Sequence, residues 1–238
     1  MPRSASLLKK PIEIRIPLES GSAVTALLYE ADEPRTSNAT LVLAHGAGAG
    51  QQSSFMVGFA HALAALGIDT VTFNFPYTEQ RRKLPDRRPV LESCYREVIE
   101  AVRREVASAQ SRLFIGGKSM GGRIATQVAA ADPDRTLAGL VLLGYPLHPP
   151  GRPDRRRDAH LPDVRRPVLF VQGSRDAFGT PEELTPVAAT MTPPAVLLIV
   201  QGGDHSFKVS KRADQAGVYT AVQRAIVEWM EAVIARKG

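Results

Sequence analysis

The sequence contains little cysteine and no long apolar run, and each scarcity excludes a class of protein. One cysteine among 238 residues excludes an internal disulfide framework and a zinc site built from several thiolates. No apolar run approaches the roughly 18 residues that span a bilayer. The basic opening segment, MPRSASLLKK, lacks the apolar stretch of a signal peptide. We therefore expect a cytoplasmic protein that does not enter the membrane.

The composition is otherwise that of a soluble globular chain. Hydrophobic residues make up 44% and charged residues 23%, and this length is sufficient for one domain with a substantial core. We find no internal repeat and no linker, so residues 1–238 are predicted to form a single domain. The sequence does not indicate an oligomeric state.

Positive charge is concentrated in two short segments. The formal net charge is +6, and 11 of the 30 Lys and Arg residues lie in segments 81–88 and 151–166. Such a balance can attract acidic small molecules or bind nucleic acid without specificity. Arginines on solvated loops are the simpler explanation, and we do not expect a nucleic-acid partner.

Strand-like and helix-like patterns alternate along the chain. An antiparallel pair is predicted first, and short apolar runs typical of strands buried on both faces follow it. Helical spacing of apolar residues lies between these runs. Together they predict an α/β fold with a mostly parallel sheet and helices on both faces. The predicted strands are 12–17, 23–29, 41–44, 70–75, 113–115, 137–143, 168–171 and 196–200, and the predicted helices are 54–66, 91–107, 120–131, 181–190 and 216–235.

Two predicted loops are longer than the usual connections of such folds. They are 76–90 (PYTEQRRKLPDRRPV) and 144–166 (GYPLHPPGRPDRRRDAHLPDVRR), and both follow predicted strands. Loops in these positions emerge at the carboxyl edge of the sheet, where α/β folds bind ligands. Because the two basic segments lie within these loops, an anionic substrate is an open possibility.

The motif GGKSMGGR, residues 116–123, can be interpreted in two ways. Its Gly-Lys-Ser sequence resembles the end of a phosphate-binding loop, but that loop requires a glycine where Arg112 stands. The same residues form G-x-S-x-G between a predicted strand and a predicted helix. This arrangement is the nucleophile elbow, which exposes a serine hydroxyl, and helix capping is the ordinary alternative. We therefore predict that Ser119 is a nucleophile.

The elbow predicts an acid and then a histidine, each just after a later strand. Asp176 follows the run 168–171, and His205 follows the run 196–200. Asp204 is adjacent to His205, but neighbouring side chains diverge, so it is a poor partner for that ring. We therefore predict that His205 accepts the proton of Ser119 and that Asp176 orients His205.

A tetrahedral intermediate also needs two backbone N–H donors for its oxyanion. Met120 supplies one at the start of its helix. The loop HGAGAG after strand 41–44 supplies the other, with Ala47 as first choice and Gly48 as second. Its G-x-G-x-G spacing departs from the dinucleotide fingerprint G-x-G-x-x-G, and we expect no cofactor. His45 is predicted to brace this loop by hydrogen bonding.

The remaining histidines and the cysteine receive weaker assignments. Cys94 lies on the apolar stripe of its helix and is predicted to be a core residue. His61 lies within a helix and is predicted to be structural or exposed. His148 and His160 lie in the long basic loop, where contact with substrate is an alternative to a structural role. No cluster has the spacing of a metal site.

Five segments of the sequence together resemble those of the α/β-hydrolases. They are HGAGAG, GGKSMGGR, GYPLHPPG, QGSRDAFGT and GGDHSF. They are most similar to a group of small bacterial hydrolases near the dienelactone hydrolases. That group also includes testis-expressed hydrolase-like proteins and a scaffold subunit of a histone acetyltransferase complex. Dienelactone hydrolases use cysteine where Ser119 stands, so the resemblance does not extend to their lactone substrate.

The resemblance implies an eight-stranded sheet with antiparallel first strands and little or no lid. It also implies that Tyr145, Pro146 and His148 lie near the mouth of the active site, where Tyr145 and His148 would contact substrate. The expected activity is that of a cofactor-free serine hydrolase acting on a small-molecule ester or thioester, with an anionic substrate among the options. An acyltransferase and a non-catalytic protein- or nucleic-acid-binding module on a hydrolase scaffold are the alternatives.

Overall fold

The computed structural model describes residues 9–32, 37–132 and 136–236. They form an eight-stranded sheet in the order β1-β2-β4-β3-β5-β6-β7-β8. β1 and β2 pair antiparallel, β2 pairs antiparallel with β4, and every later pair is parallel. The predicted mostly parallel sheet with antiparallel first strands is therefore confirmed. The strands are β1 Ile12–Pro17, β2 Ala23–Tyr29, β3 Thr40–Ala44, β4 Asp69–Phe73, β5 Leu113–Lys118, β6 Gly139–Leu143, β7 Val168–Gly173 and β8 Val196–Val200.

The main error in the strand predictions concerns β5, which was expected to end at Ile115 and instead extends to Lys118. Glycine is a poor strand former, so Gly116 and Gly117 obscured this extension. The structure needs glycine here because β6 lies very close. A Cβ at Gly116 would lie 1.8 Å from the carbonyl oxygen of Val141.

The helices account for most of the connections. They are α1 Ser54–Ala65, α2 Pro76–Glu79, α3 Arg88–Glu105, α4 Ala107–Ser111, α5 Met120–Ala131, α6 Pro181–Thr190 and α7 Gln215–Ala235, with a 3₁₀ turn at Leu161–Asp163. The expectation that residues 76–90 form one loop is wrong, because they contain α2 and the start of α3. Pro76 and Pro89 each stand in the first turn of a helix, where a missing N–H costs nothing.

Two apolar layers cover the faces of the sheet. Alternate strand residues point to opposite faces, so Leu41 and Leu43 join one core while Val42 and Ala44 join the other. The first core also contains apolar residues of α1 and α7, and the second contains those of α3, α5 and α6. Helices therefore lie on both faces, as predicted.

The last strand departs from the expectation of burial on both faces. β8 is at the edge of the sheet, and Val196 is 48% exposed and Ile199 41% exposed. An apolar run alone does not distinguish an edge strand from a central one. None of the helices among residues 9–32, 37–132 and 136–236 is long and apolar enough to cross a bilayer.

Candidate active site

Ser119 lies alone in a sharp turn between the end of β5 and the start of α5. Its backbone has φ 52° and ψ −116°, a conformation that non-glycine residues rarely adopt and that is typical of a nucleophile elbow. Gly117 and Gly121 make the turn possible. A Cβ on either residue would lie within 2.4 Å of the carbonyl oxygen of Ala44. The close approach of β5 and α5 to the end of β3 therefore requires glycine two residues before and two residues after Ser119.

The three polar residues that the sequence singled out meet at the carboxyl edge of the sheet. The Nε2 atom of His205 lies 2.8 Å from the Oγ atom of Ser119. The Nδ1 atom of His205 lies 2.8 Å from the Oδ2 atom of Asp176. With Nδ1–H donating to the carboxylate, Nε2 has a lone pair free to accept the serine proton. The geometry thus forms a continuous chain from carboxylate to hydroxyl.

Asp176 is held by its own neighbours. Its Oδ1 atom accepts a hydrogen bond from the Phe178 N–H at 2.8 Å, and its Oδ2 atom accepts one from the Gln172 amide at 2.8 Å. The carboxyl group is buried, with 1% of the residue exposed. These donors fix the carboxylate before any substrate binds, which is the preorganisation that an orienting group needs.

Gln172 is a residue that the sequence analysis missed. Its side-chain N–H₂ group also lies 2.8 Å from the Gly179 carbonyl and 3.3 Å from the Tyr145 carbonyl, and its Oε1 accepts from the Tyr145 N–H at 2.8 Å. Gln172 is fully buried, and a polar residue at the end of the apolar run VLFVQG was the available signal. It joins the loop after β6 to the carboxylate of Asp176.

The turn after β8 positions His205. Phe178 stacks on the imidazole ring, with 4.1 Å between the ring centroids and 29° between the planes. Asp204 faces elsewhere, because its Oδ1 atom accepts from the backbone N–H groups of Ser206 and Lys208 at 2.8 and 2.9 Å. Asp204 therefore organises the turn, and Asp176 is the carboxylate that contacts His205.

The loop after β3 forms the opposite side of the site, and His45 braces it as predicted. The Nδ1–H group of His45 donates to the Gly46 carbonyl at 2.8 Å, and its Nε2 atom accepts from the Phe75 N–H at 3.2 Å. Burial lowers the pKa of His45, which favours the neutral ring that these bonds require. Tyr77 also donates its hydroxyl to the Ala47 carbonyl at 3.0 Å.

The two residues chosen as oxyanion donors line a common cavity. Ala47 and Met120 both line it beside Ser119. Within the part of the chain that the structure describes, neither backbone N–H donates to a protein acceptor. A preorganised oxyanion site has this property, since its donors must be unoccupied when the substrate arrives.

Lys118 precedes Ser119 and carries a buried amine. The residue is 8% exposed, and its Nζ atom has no hydrogen-bond partner among the described residues. Nζ lies 5.8 Å from the ring centroid of Phe55. Burial lowers the pKa of Lys118 to about 8, although Asp176 and Asp204 raise it in part. The G-x-S-x-G motif puts this lysine directly before the serine, but the motif does not indicate that the amine is buried.

The expectation that Tyr145 and His148 contact substrate needs correction. Tyr145 is fully buried, and its hydroxyl donates to the Arg157 carbonyl at 2.7 Å. His148 is 5% exposed, and its Nε2 atom lies 3.2 Å from the Glu183 carboxylate. Neither lines the cavity, whereas Pro146 does. Both side chains point inward and anchor the loop that presents Pro146.

The structure also locates Cys94, His61 and His160. Cys94 is 1% exposed within the core, and burial raises its thiol pKa, so the predicted core role is confirmed. His61 makes an edge-on contact with Tyr29. His160 bonds to the Thr126 hydroxyl at 2.8 Å and does not line the cavity. Among the described residues, no three His, Cys, Asp or Glu side chains are grouped to hold a metal ion.

The cavity beside Ser119 has a volume of about 610 Å³ and is partly open to solvent. Its wall is mixed. Apolar side chains are contributed by α1, α3 and α5, while three arginines line the side formed by α3, α5 and the loop after β6. These residues are Phe55, Leu91, Ile124, Arg88, Arg123 and Arg157. The size suits a small organic molecule.

Comparison with known proteins identifies relatives of this architecture. The family model described as "Alpha/beta hydrolase domain" matches residues 37–233. A lidless a/b serine hydrolase from Xanthomonas campestris superposes with a TM-score of 0.71 at 18% identity, over 94% of this chain and 96% of that one.

Two further solved structures are similar to the same extent. An alpha-beta serine hydrolase homologue from Coxiella burnetii has a TM-score of 0.72 at 19% identity, over 94% of this chain and 99% of that one. A dienelactone hydrolase from Anabaena variabilis has a TM-score of 0.71 at 21% identity, over 93% and 97%. At these identities the likenesses establish the fold.

Proposed function

Because the chain belongs to the alpha/beta hydrolase domain family, we propose that it is a serine hydrolase that cleaves a carboxylic ester or thioester. The observation that carries this proposal is the hydrogen-bonded chain from Asp176 through His205 to Ser119, with 2.8 Å at each contact. A scaffold without catalysis has no need for this alignment or for the strained backbone at Ser119. The structural relatives described as serine hydrolases support the same class.

The first half of the reaction forms an acyl-enzyme. The Ser119 oxygen attacks the substrate carbonyl carbon while His205 Nε2 takes the hydroxyl proton. Asp176 stabilises the resulting imidazolium through Nδ1–H. The carbonyl oxygen becomes an oxyanion and accepts hydrogen bonds from the Ala47 and Met120 N–H groups. The tetrahedral intermediate then collapses, and His205 protonates the departing alcohol or thiol.

The second half returns the free enzyme. A water molecule replaces the leaving group, and His205 Nε2 takes one of its protons as the water oxygen attacks the acyl carbon. Collapse of this second intermediate breaks the bond to Ser119, whose oxygen recovers the proton from His205. The opening of the cavity gives water access to the acyl group. An alcohol in place of water would make the protein an acyltransferase, so the acceptor has to be measured.

A panel of p-nitrophenyl esters and thioesters of graded acyl length tests the proposal. We expect a burst of product equal to the concentration of active sites, followed by slower turnover, because the acyl-enzyme accumulates. Ser119→Ala and His205→Gln, each checked for native folding, should lose at least about 10³-fold in kcat. Wild type that is folded and inactive on every ester and thioester would overturn the hydrolase assignment. Added methanol would reveal transfer through the ratio of methyl ester to free acid.

A further inference from the structure

The cavity beside Ser119 has more positive charge in its wall than the neighbouring carboxylates can compensate. Arg88, Arg123 and Arg157 all line it, and they come from three different segments of the chain. Arg88 is paired with the Glu92 carboxylate. Arg123 and Arg157 have no carboxylate partner among the residues that the structure describes.

Nearby acids are already engaged by other arginines. Asp86 pairs with Arg82 and Asp158 pairs with Arg156. Glu92, the partner of Arg88, also acts on Arg123 without an ion pair between them, so the positive charge of Arg123 and Arg157 is only partly compensated. Because a partly buried charge without an ion-pair partner is costly, an anion bound between Arg123 and Arg157 would offset part of that cost.

Of the three cavity arginines, Arg123 is the nearest to Ser119 along the chain. It belongs to the first turn of α5, and its backbone N–H donates to the Ser119 carbonyl at 3.1 Å. Its Nε atom is buried and has no acceptor within the described residues. Burial and the charges of Arg157 and Arg88 lower its pKa. The side chain thus experiences two like charges and keeps an unused N–H donor.

Most arginines of the two basic segments do not line the cavity. The side chains of Arg152 and Arg156 pair with Asp154 and Asp158, and Arg155 is exposed outside the cavity. Only Arg88 and Arg157 of the basic segments line the cavity. The anion-binding potential is therefore local to one wall beside Ser119 and is not a general property of the basic loops.

We propose that Arg123 and Arg157 bind a carboxylate group of the substrate, so that the protein acts on esters or thioesters whose acyl part ends in a second, free carboxylate. A guanidinium matches a carboxylate through two parallel N–H···O bonds. A cavity of about 610 Å³ holds a short dicarboxylic acyl chain. This inference rests on the proposed hydrolase function for its chemical step, whereas the binding of the carboxylate does not.

Matched substrates test the inference. The anionic ester is p-nitrophenyl hydrogen glutarate, and the neutral one is p-nitrophenyl pentanoate, which has an acyl chain of the same length. We expect wild type to prefer the anionic ester in kcat/KM. Arg123→Gln and Arg157→Gln should each lower the ratio of anionic to neutral kcat/KM by about tenfold. Arg155→Gln removes the same charge from the same loop outside the cavity and should leave the ratio unchanged.

The carboxylate subsite would be overturned if Arg123→Gln and Arg157→Gln lowered kcat/KM equally for both esters. It would also be overturned if Arg155→Gln changed the ratio as much as they do. Calorimetric titration of Ser119→Ala with glutarate tests binding apart from catalysis. Binding that Arg123→Gln abolishes in the same background supports the subsite even where no ester is cleaved, so failure of the hydrolase proposal stays distinguishable. Binding of inorganic phosphate without binding of glutarate would overturn the carboxylate assignment. Each variant is first checked for a native unfolding transition.

Discussion

The substitution Lys118→Met should stabilise the protein at neutral pH. This stabilisation should decrease as the pH rises into the alkaline range. Lys118 is 8% exposed and its amine has no hydrogen-bond partner among the described residues. Burial lowers its pKa from the ordinary 10.5 to about 8, and each pH unit corresponds to about 1.36 kcal/mol. The charged amine therefore costs about 3 kcal/mol of folding free energy at pH 7. Methionine fills a similar volume without a charge.

The pH dependence gives the sharper test. Between about pH 8 and 10.5 the unfolded chain holds a proton on Lys118 that the folded protein has released. Because the unfolded state binds more protons there, the stability of wild type rises with pH across this window. The advantage of Lys118→Met should thus fall from about 3 kcal/mol at pH 7 to about 1 kcal/mol at pH 10.

Urea unfolding of wild type and Lys118→Met at pH 7, 9 and 10 measures this difference. A change in packing would shift the difference in unfolding free energy by the same amount at every pH. The test is therefore how that difference changes with pH. Lys211→Met, at an exposed lysine, controls for the loss of one charge and should show no such slope. A Lys118→Met advantage that does not vary between pH 7 and 10 would refute the reasoning, since the folded lysine would then hold its proton as the unfolded one does.

Three further predictions concern groups around the site. Gln172→Leu removes a 2.8 Å donor to Asp176 and should lower kcat for an ester about tenfold with little change in KM, in steady-state assays. Tyr95→Phe removes the hydroxyl that accepts from the buried Gly116 N–H at 3.0 Å and should cost about 1–3 kcal/mol in urea unfolding. Burial lowers the pKa of His160 to about 4, so the unfolded state binds more protons from about pH 6.5 down to 4. Wild type should lose stability across that interval, and His160→Gln should lose less.

The site was predictable where polar residues follow apolar strands. Ser119, Asp176 and His205 each come after a recognisable run, and a parallel sheet brings the carboxyl ends of its strands to one edge. The order along the chain and the G-x-S-x-G spacing were therefore sufficient to select these three residues. The same reasoning rejected Asp204, whose carboxylate instead caps its own turn.

Features that depend on packing between distant segments were not predictable from the sequence. Tyr145 was placed at the mouth because of its motif, but its ring packs edge-on against Phe170, 5.5 Å between centroids, and is fully buried. Gln172 lies just beyond the predicted strand 168–171, and the three residues that its side chain bonds, Tyr145, Asp176 and Gly179, lie outside that strand. Arg123 lies in the predicted helix 120–131, and its interaction with Arg157 arises only when α5 and the loop after β6 are folded together.

Fluorophosphonate labelling tests the central claim most directly, because the probe reacts with an activated serine whatever the natural substrate. We predict one adduct per folded chain, located on Ser119 by peptide mass spectrometry, absent in Ser119→Ala and strongly slowed in His205→Gln. No adduct on folded wild type, or an adduct that persists in Ser119→Ala, would contradict the assignment of Ser119 as the nucleophile.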